Sequence, residues 1–467
     1  MPRIAWNRRY GLTSHIQSSL WIVPVFALLA QIALKRLAER LGAWMVEQGF
    51  YELKTGFFGL DMAGAQGVLE RIFTVNLSCL VFTFGSLLVA IQVAGGQYTP
   101  RIIATTLLRD NVIRWIVGWF LFTLLWSHRT LVQIGQIGIV PQFQVFLASM
   151  FGLASIIAFI ILIDYSAKLL RPVSLVRRIA EEGVRVIESV YPRPTSNVAA
   201  PATPERKRGR GLLSSWFSRP VAEGSVPSAK LEQPDRVIYH TGKSAIVLAI
   251  NLHGLVREAK RADCIVEFAA QVGDFLAVDE PLFYVYGNAG VINEQLFHEY
   301  VALGGERTIE QDPMFAFRIE VDFALKALSP AINDPTTAVL AIDQLHRLLR
   351  LVGLRSLREH QIADDAGKLR VIFHTPNWED FVHISFREIR LSGGGNLQIA
   401  RRLRAMIENL VQVLPEHRLP ALHKEFELLE REVARRFASD DLALARIPDS
   451  QGLGGASGAR VPGKMGQ

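Results

Sequence analysis

Four long stretches without a charged side chain dominate the first third of the sequence. Residues 16–34, 72–100, 115–127 and 140–163 contain no Asp, Glu, Lys or Arg. A hydrocarbon core about 30 Å thick needs roughly 20 apolar helical residues to cross it. The expectation is an α-helical membrane protein with a four-transmembrane-helix N-terminal domain over residues 1–170. Beyond Arg171 the composition becomes polar and mixed, as in an ordinary soluble domain. The excess of hydrophobic residues, half of the chain overall, therefore belongs to the first third.

Charge gives the topology. Arg3, Arg8 and Arg9 precede the first span, Arg101, Arg109 and Arg114 separate the second from the third, and Lys168, Arg171, Arg177 and Arg178 follow the fourth. The positive-inside rule then puts both termini in the cytoplasm. Lys35, Arg36, Arg40 and Lys54 between the first two spans run against it. The first apolar run is too long for a signal-peptide core and lacks a clear cleavage site, so it reads as a signal anchor. In a membrane protein a formal charge of +7 points to topology and anionic lipid before nucleic acid. Cys79 lies in a span and Cys264 in the soluble part, which argues against a disulfide. No cysteine or histidine spacing suggests a structural metal, and no cofactor is expected.

The second span carries the most polar residues, among them Asn76 and Gln92. Two readings stand: helix packing inside a bundle, or a polar path lined by Asn76 and Gln92 through a homo-oligomer. Ser86, Ala90 and Ala94 form a small-residue stripe, and Ala148 with Gly152 offers another close contact. No span has a central acidic or basic residue, which weakens a coupled transporter and leaves a neutral-walled channel.

Residues 171–191 have apolar or small residues at Val173, Val176, Ala180, Gly183, Ile187 and Val190. This spacing suits a helical stalk that pairs subunits, or an amphipathic helix lying on its own domain. Residues 192–234 form a flexible basic linker rich in Pro, Ser and Ala. Within it Arg206, Lys207, Arg208 and Arg210 precede Trp216, a pattern suited to anionic lipid headgroups or to a plain solvated linker.

The cytoplasmic part reads as α+β. A small β-rich subdomain is expected over 235–290, with strands near 245–250, 264–268 and 281–286 and a short helix near 252–259. The segment 272–282 resembles the hairpin of barrel-sandwich domains, without a carrier lysine. A helical subdomain follows over 291–440, its first helix ending at Gly304-Gly305. Asp312-Pro313 and Asp334-Pro335 each read as an N-cap followed by proline at the first helical position. Further helices are expected over 375–391, 396–414 and 419–437, and a disordered tail over 441–467.

Two segments carry a family resemblance. Glu306-Arg307-Thr308-Ile309-Glu310-Gln311-Asp312-Pro313 and Ala327-Leu328-Ser329-Pro330-Ala331-Ile332-Asn333-Asp334-Pro335-Thr336-Thr337-Ala338 resemble the signature of a bacterial family of predicted integral membrane proteins catalogued as a domain of unknown function. The segment from Gln92 to Arg101 resembles that family's motif at the end of its second span, with Gly95-Gly96 where small residues such as serine are usual. The resemblance implies four spans in the bacterial inner membrane and a cytoplasmic domain, and brings no activity with it.

Arg307, Asp312, Asn333 and Asp334 then have two readings. Either the aspartates cap helices and Arg307 pairs with one of them, or two helix N-termini converge on a ligand. No phosphate loop, nucleophile elbow or metalloprotease motif occurs, so no enzyme is expected. The functional expectation is an oligomeric channel-like or passive transport protein gated by its cytoplasmic domain. The alternative is a membrane-anchored scaffold or sensor whose soluble domain binds a protein or small ligand.

Overall fold

The computed structural model describes residues 5–19, 22–48, 60–97, 110–169, 171–195, 233–357 and 361–453. The chain divides into two compact units, one of residues 14–175 and one of residues 1–13 with 176–467.

The first unit contains α2 (Ile22–Glu47), α3 (Met62–Gln97), α4 (Asn111–Ile137) and α5 (Gln142–Leu169). Asp110 starts α4 by accepting the Val112 and Ile113 N–H groups, and Gly138 ends it in the left-handed conformation at φ 68°. Segments Met62–Gln92 and Gln142–Lys168 are long and apolar enough to cross a bilayer, by length and composition. Their most apolar stretches are only 17% and 22% buried, so most of that apolar surface faces outward, unlike a soluble core helix. The expected first span is divided, residues 16–18 closing α1 (Trp6–Ser18) and 22–34 opening α2. α2 continues through Lys35, Arg36, Glu39 and Arg40, and α4 carries Arg114 and Arg129. These charges keep both helices short of the apolarity of α3 and α5.

Contacts along the helices fix their directions. Val23 and Ala27 approach Gly118, where an added Cβ would lie 3.1 Å from Val23 Cγ1. Lys35 Nζ donates to Thr130 Oγ1 at 3.2 Å. Equal steps on both helices separate these two contacts, so α2 and α4 run parallel. Ile72 lies against Gly152, as its small size invites, and Phe82 against the ring of Phe159, so α3 and α5 run parallel. Tyr165 donates to Asp110, Ser155 to Thr123, and Trp126 Nε1 to the Gln144 carbonyl, so α4 and α5 run antiparallel. The unit is an up-down-up-down bundle around Leu69, Phe122, Trp126, Ile134 and Val145.

The second unit is α+β. Strands β1 (Arg236–Tyr239), β5 (Pro281–Gly287), β3 (Cys264–Phe268), β8 (Leu369–Phe373) and β7 (Gln361–Ala363) form a five-stranded sheet in that order. It is antiparallel except where β3 meets β8. A second sheet has the order β4 (Phe275–Leu276), β2 (Ala245–Ile250) and β6 (Val301–Gly304). Between β2 and β3 runs α7 (Leu252–Ala262), capped by Asn251. The strands and helix expected over 245–286 are present. The barrel-sandwich hairpin is not, because β4 pairs with β2 while β5 pairs with β1 and β3. The helix expected to end at Gly304 is a short α8 (Glu294–Glu299), since Val301, Ala302 and Leu303 are taken up as an edge strand on β2.

Helices α9 (Pro313–Ala327), α10 (Pro335–Gly353), α11 (Trp378–Gly393), α12 (Leu397–Val413) and α13 (Leu419–Arg436) match expectation closely. The pair β7 and β8 lies inside the region read as wholly helical. α6 (Pro172–Val190) is the expected stalk, and it lies on its own domain. Gly183 is pressed against Ala316 and Leu348, and the Tyr191 ring meets Phe381 edge-on. The seam read as a coiled coil is thus occupied within the chain. The expected disordered tail is ordered to Leu453: α14 (Ser439–Ala445) follows, Arg401 Nε donates to the Ile447 carbonyl, and Gln398 donates to that of Gly452. Residues 454–467 lie outside the described residues.

Glu320 on α9 is fully buried, and neither carboxylate oxygen has a hydrogen-bond partner. Burial pushes its carboxyl well above the ordinary carboxylate range. The native state therefore holds this proton more tightly than the unfolded chain. That stability is complete below the unfolded carboxylate pKa and lost as pH rises through the higher native one. Unfolding midpoints of the full-length protein in detergent should fall with rising pH above the carboxylate range. Glu320→Gln should flatten that dependence and stabilise the protein near neutrality; equal pH profiles would place the titration elsewhere.

Candidate functional site

The 306–313 motif is a junction in which each polar side chain has a separate task. Asp312 Oδ1 caps α9 by accepting the Phe315 N–H at 3.0 Å, while Oδ2 accepts Arg307 Nε at 2.6 Å. The Arg307 guanidinium also lies over the Phe315 ring, 5.7 Å from its centroid. Gln311 Oε1 accepts the Ile250 N–H at the end of β2, and Glu310 accepts the Tyr10 hydroxyl proton from α1. Gly273, at φ 97°, lies directly on the ion pair. A Cβ there would sit 2.1 Å from Arg307 Nη2 and 2.4 Å from Asp312 Oδ2. One eight-residue segment thereby ties α1, β2, the turn before β4 and α9 together. Asp312 is 2% exposed, and burial pushes its carboxyl above the usual range against the pull of Arg307 and the Phe315 N–H.

The second motif does a local version of the same work. Asp334 accepts the Thr337 N–H at 3.1 Å and the Thr337 hydroxyl at 2.5 Å. Asn333 takes the left-handed conformation at φ 48°, which lets the Asp334 N–H reach the Ala327 carbonyl at 2.8 Å. Asp334 therefore sits at the C-terminal end of α9, whereas Asp312 sits at its N-terminus. Fifteen residues of helix put roughly 22 Å between them. The two motif aspartates do not converge, which removes the shared ligand pocket and leaves capping with an Arg307–Asp312 pair.

The membrane-unit candidates separate too. Asn76 is fully buried, its Nδ2 donating to the Ile72 carbonyl at 2.9 Å and its Oδ1 without a partner. Gln92 is exposed. Sixteen residues of helix turn the two roughly 160° apart, so they cannot line one path. What accompanies Asn76 inside the bundle was not legible as a motif. Gln31, Lys35, Thr83, Thr123, Ser127, Thr130, Gln144 and Ser155 are all buried. Gln31 Nε2, Trp119 Nε1, Gln133 Oε1 and Gln144 Oε1 have no hydrogen-bond partner. Lys35, read from sequence as a loop charge, is 4% exposed on α2. Its spacing of four from Gln31, Ala27 and Val23 is the signal that places it on the inward face.

The basic cluster Arg206, Lys207, Arg208 and Arg210 with Trp216 lies outside the described residues, as do residues 98–101 of the second-span motif. No group of His, Cys, Asp and Glu fit to hold a metal occurs among the described residues.

Residues 17–409 match the family model "Predicted membrane protein (DUF2254)". An uncharacterized protein of Mycobacterium bovis is 23% identical over 446 residues, covering 93% of this chain and 80% of the relative. An uncharacterized protein of Mycobacterium tuberculosis matches with the same identity and coverage. No solved structure matches the chain.

Separation of the two motif aspartates makes a quantitative prediction. Asp334→Ala should cost about 1 kcal/mol as a lost cap. Asp312→Ala should cost about 2–3 kcal/mol, because it also strips Arg307 of its partner. The double variant should equal their sum within about 0.5 kcal/mol in denaturant unfolding. A larger coupling would mean that the two ends of α9 share a site. Gly273→Ala should cost more than about 1 kcal/mol, from its positive φ and the collision with the ion pair.

Proposed function

We propose that this chain, which belongs to the DUF2254 family of predicted membrane proteins, crosses the bacterial inner membrane four times and conducts a polar solute passively through its own helix bundle. Alternating directions of α2 to α5 support four crossings. Packing of residues 6–13 in the same unit as 176–467 supports termini on one side of the membrane, which the arginine distribution makes the cytoplasmic side.

The observation that carries the permeation reading is the set of orphaned polar atoms buried in the bundle. Gln31 Nε2, Asn76 Oδ1, Gln133 Oε1 and Gln144 Oε1 are buried without a protein partner. In a bilayer such groups have no lipid partner either, and each costs several kcal/mol unless water or a polar solute satisfies it. A bundle serving only as an anchor gains nothing from them. The pathway runs inside one chain, with Asn76 on it and Gln92 off it, and the cytoplasmic α+β unit gates it. Assembly into a homo-oligomer then multiplies pathways instead of creating one.

Flux measurements in proteoliposomes test this reading. Purified full-length protein should give reproducible solute flux over empty liposomes. Asn76→Leu should lower it by about tenfold with unchanged assembly on size exclusion, and Gln92→Leu should leave it unchanged. No flux under several ions, voltages and osmotic gradients would overturn the reading and leave a membrane-anchored scaffold or sensor.

A further inference from the structure

Two donor groups, on Lys35 and Gln31, are left underused where α2 meets α4. Lys35 Nζ has a single hydrogen bond, to Thr130 Oγ1 at 3.2 Å. Thr130 gives its own proton to the Trp126 carbonyl at 2.8 Å, so its oxygen only receives. No carboxylate among the described residues forms an ion pair with Lys35; the charges that act on it are Glu39, one turn along α2, and Arg129. Gln31 precedes Lys35 by one helical turn on the same face and is 1% exposed. The parallel register of the two helices puts Gln31 opposite Trp126 and Ser127, and Ser127 commits its proton to the Thr123 carbonyl at 3.0 Å. Gln31 Nε2 has no partner at all.

An ammonium carries three N–H donors and a primary amide two. One of these five is used. A buried cation without a paired anion is among the costliest arrangements a protein holds, and in membrane helices such residues mark pathways. Gln133, one turn beyond Thr130, has an orphaned amide oxygen, and its amide can turn over to present NH2. The surroundings thus ask for a ligand that is negatively charged, rich in lone pairs and small enough to lie between two close-packed helices.

We infer that Lys35 and Gln31 form a binding site for a small inorganic anion of the chloride class, between α2 and α4. Thr130 lies twenty residues along α4 from Asp110, roughly 30 Å, so the site sits at the end of the bundle away from the Asp110–Tyr165 contact. Its role as a selectivity site rests on the permeation reading; binding itself does not.

Thermal unfolding of the full-length protein in detergent gives the test, with chloride replacing gluconate at constant ionic strength. The unchanged protein should show a saturable rise in midpoint. Lys35→Met should abolish it, Gln31→Leu should weaken the apparent chloride affinity by about tenfold, and Lys35→Arg should retain it. No chloride response in the unchanged protein, or equal responses in it and Lys35→Met, would overturn the site. Should Lys35→Met fail to fold, the pair Gln31→Leu with Thr130→Val supplies the same comparison. Flux separates the two readings. Chloride binding without flux of any ion or osmotic solute upholds the site and removes permeation. Potassium flux with no chloride response upholds permeation and removes the site.

Discussion

The contact between Arg307 and Asp312 is the constraint around which the α+β unit is arranged. A buried carboxylate is tolerated only when its lone pairs are occupied. Asp312 meets this condition by dividing itself between a helix cap and a guanidinium. The arrangement fixes where α9 begins, and α9 in turn is the surface on which α6, α10 and α11 rest. Gly273 closes the remaining side, because only a residue without a Cβ fits over the pair. The sheets and the helical layer are thereby locked at one charged point, while apolar packing supplies most of the area around it.

Buried polar groups in both units are partly paired and partly open. In the α+β unit two buried arginines are well paired: Arg370 bridges Asp263 and Asp364, and Arg402 holds Asp343 and His346. Glu320 departs from this pattern, buried without a partner, and burial pushes its carboxyl well above the usual range. Open groups occur in both units: His240 Nδ1, Thr308 Oγ1 and Gln344 Oε1 of the α+β unit have no hydrogen-bond partner, and neither do Gln31 Nε2, Asn76 Oδ1 and Gln144 Oε1 of the bundle.

How much was legible in the sequence follows from where the signals are local. Asp-Pro at the head of an apolar-periodic run is a local device, and both α9 and α10 start where it says. The alternating β-rich segments 245–250, 264–268 and 281–286 were equally readable. Pairing was not: β4 and β5 are near in sequence, yet a helix-spanned partner claims one of them. Nor was the destination of an amphipathic helix, since α6 carries a seam that suits a second subunit as well as the face of α9 that it covers. A charged residue after an apolar run reads as the end of a span, whereas Lys35 is an inward residue on a continuing helix. The orphaned amides of the bundle have no sequence motif at all; only the assembled helices reveal which side chains were left without partners.

The hydroxyl of Tyr10 reaches Glu310, a contact between residues 300 apart, and Tyr10 packs with Ala249 and Ala302. Synthesis proceeds from the N-terminus at about 5–20 residues per second. The first helix therefore leaves the ribosome roughly 15–60 s before its binding surface exists. During that interval the helical bundle is made while Trp6 and Tyr10 have nothing to cover them. Docking of Trp6 and Tyr10 therefore waits for a domain made roughly 15–60 s later. Any protein fused ahead of Trp6 would be carried into that late step.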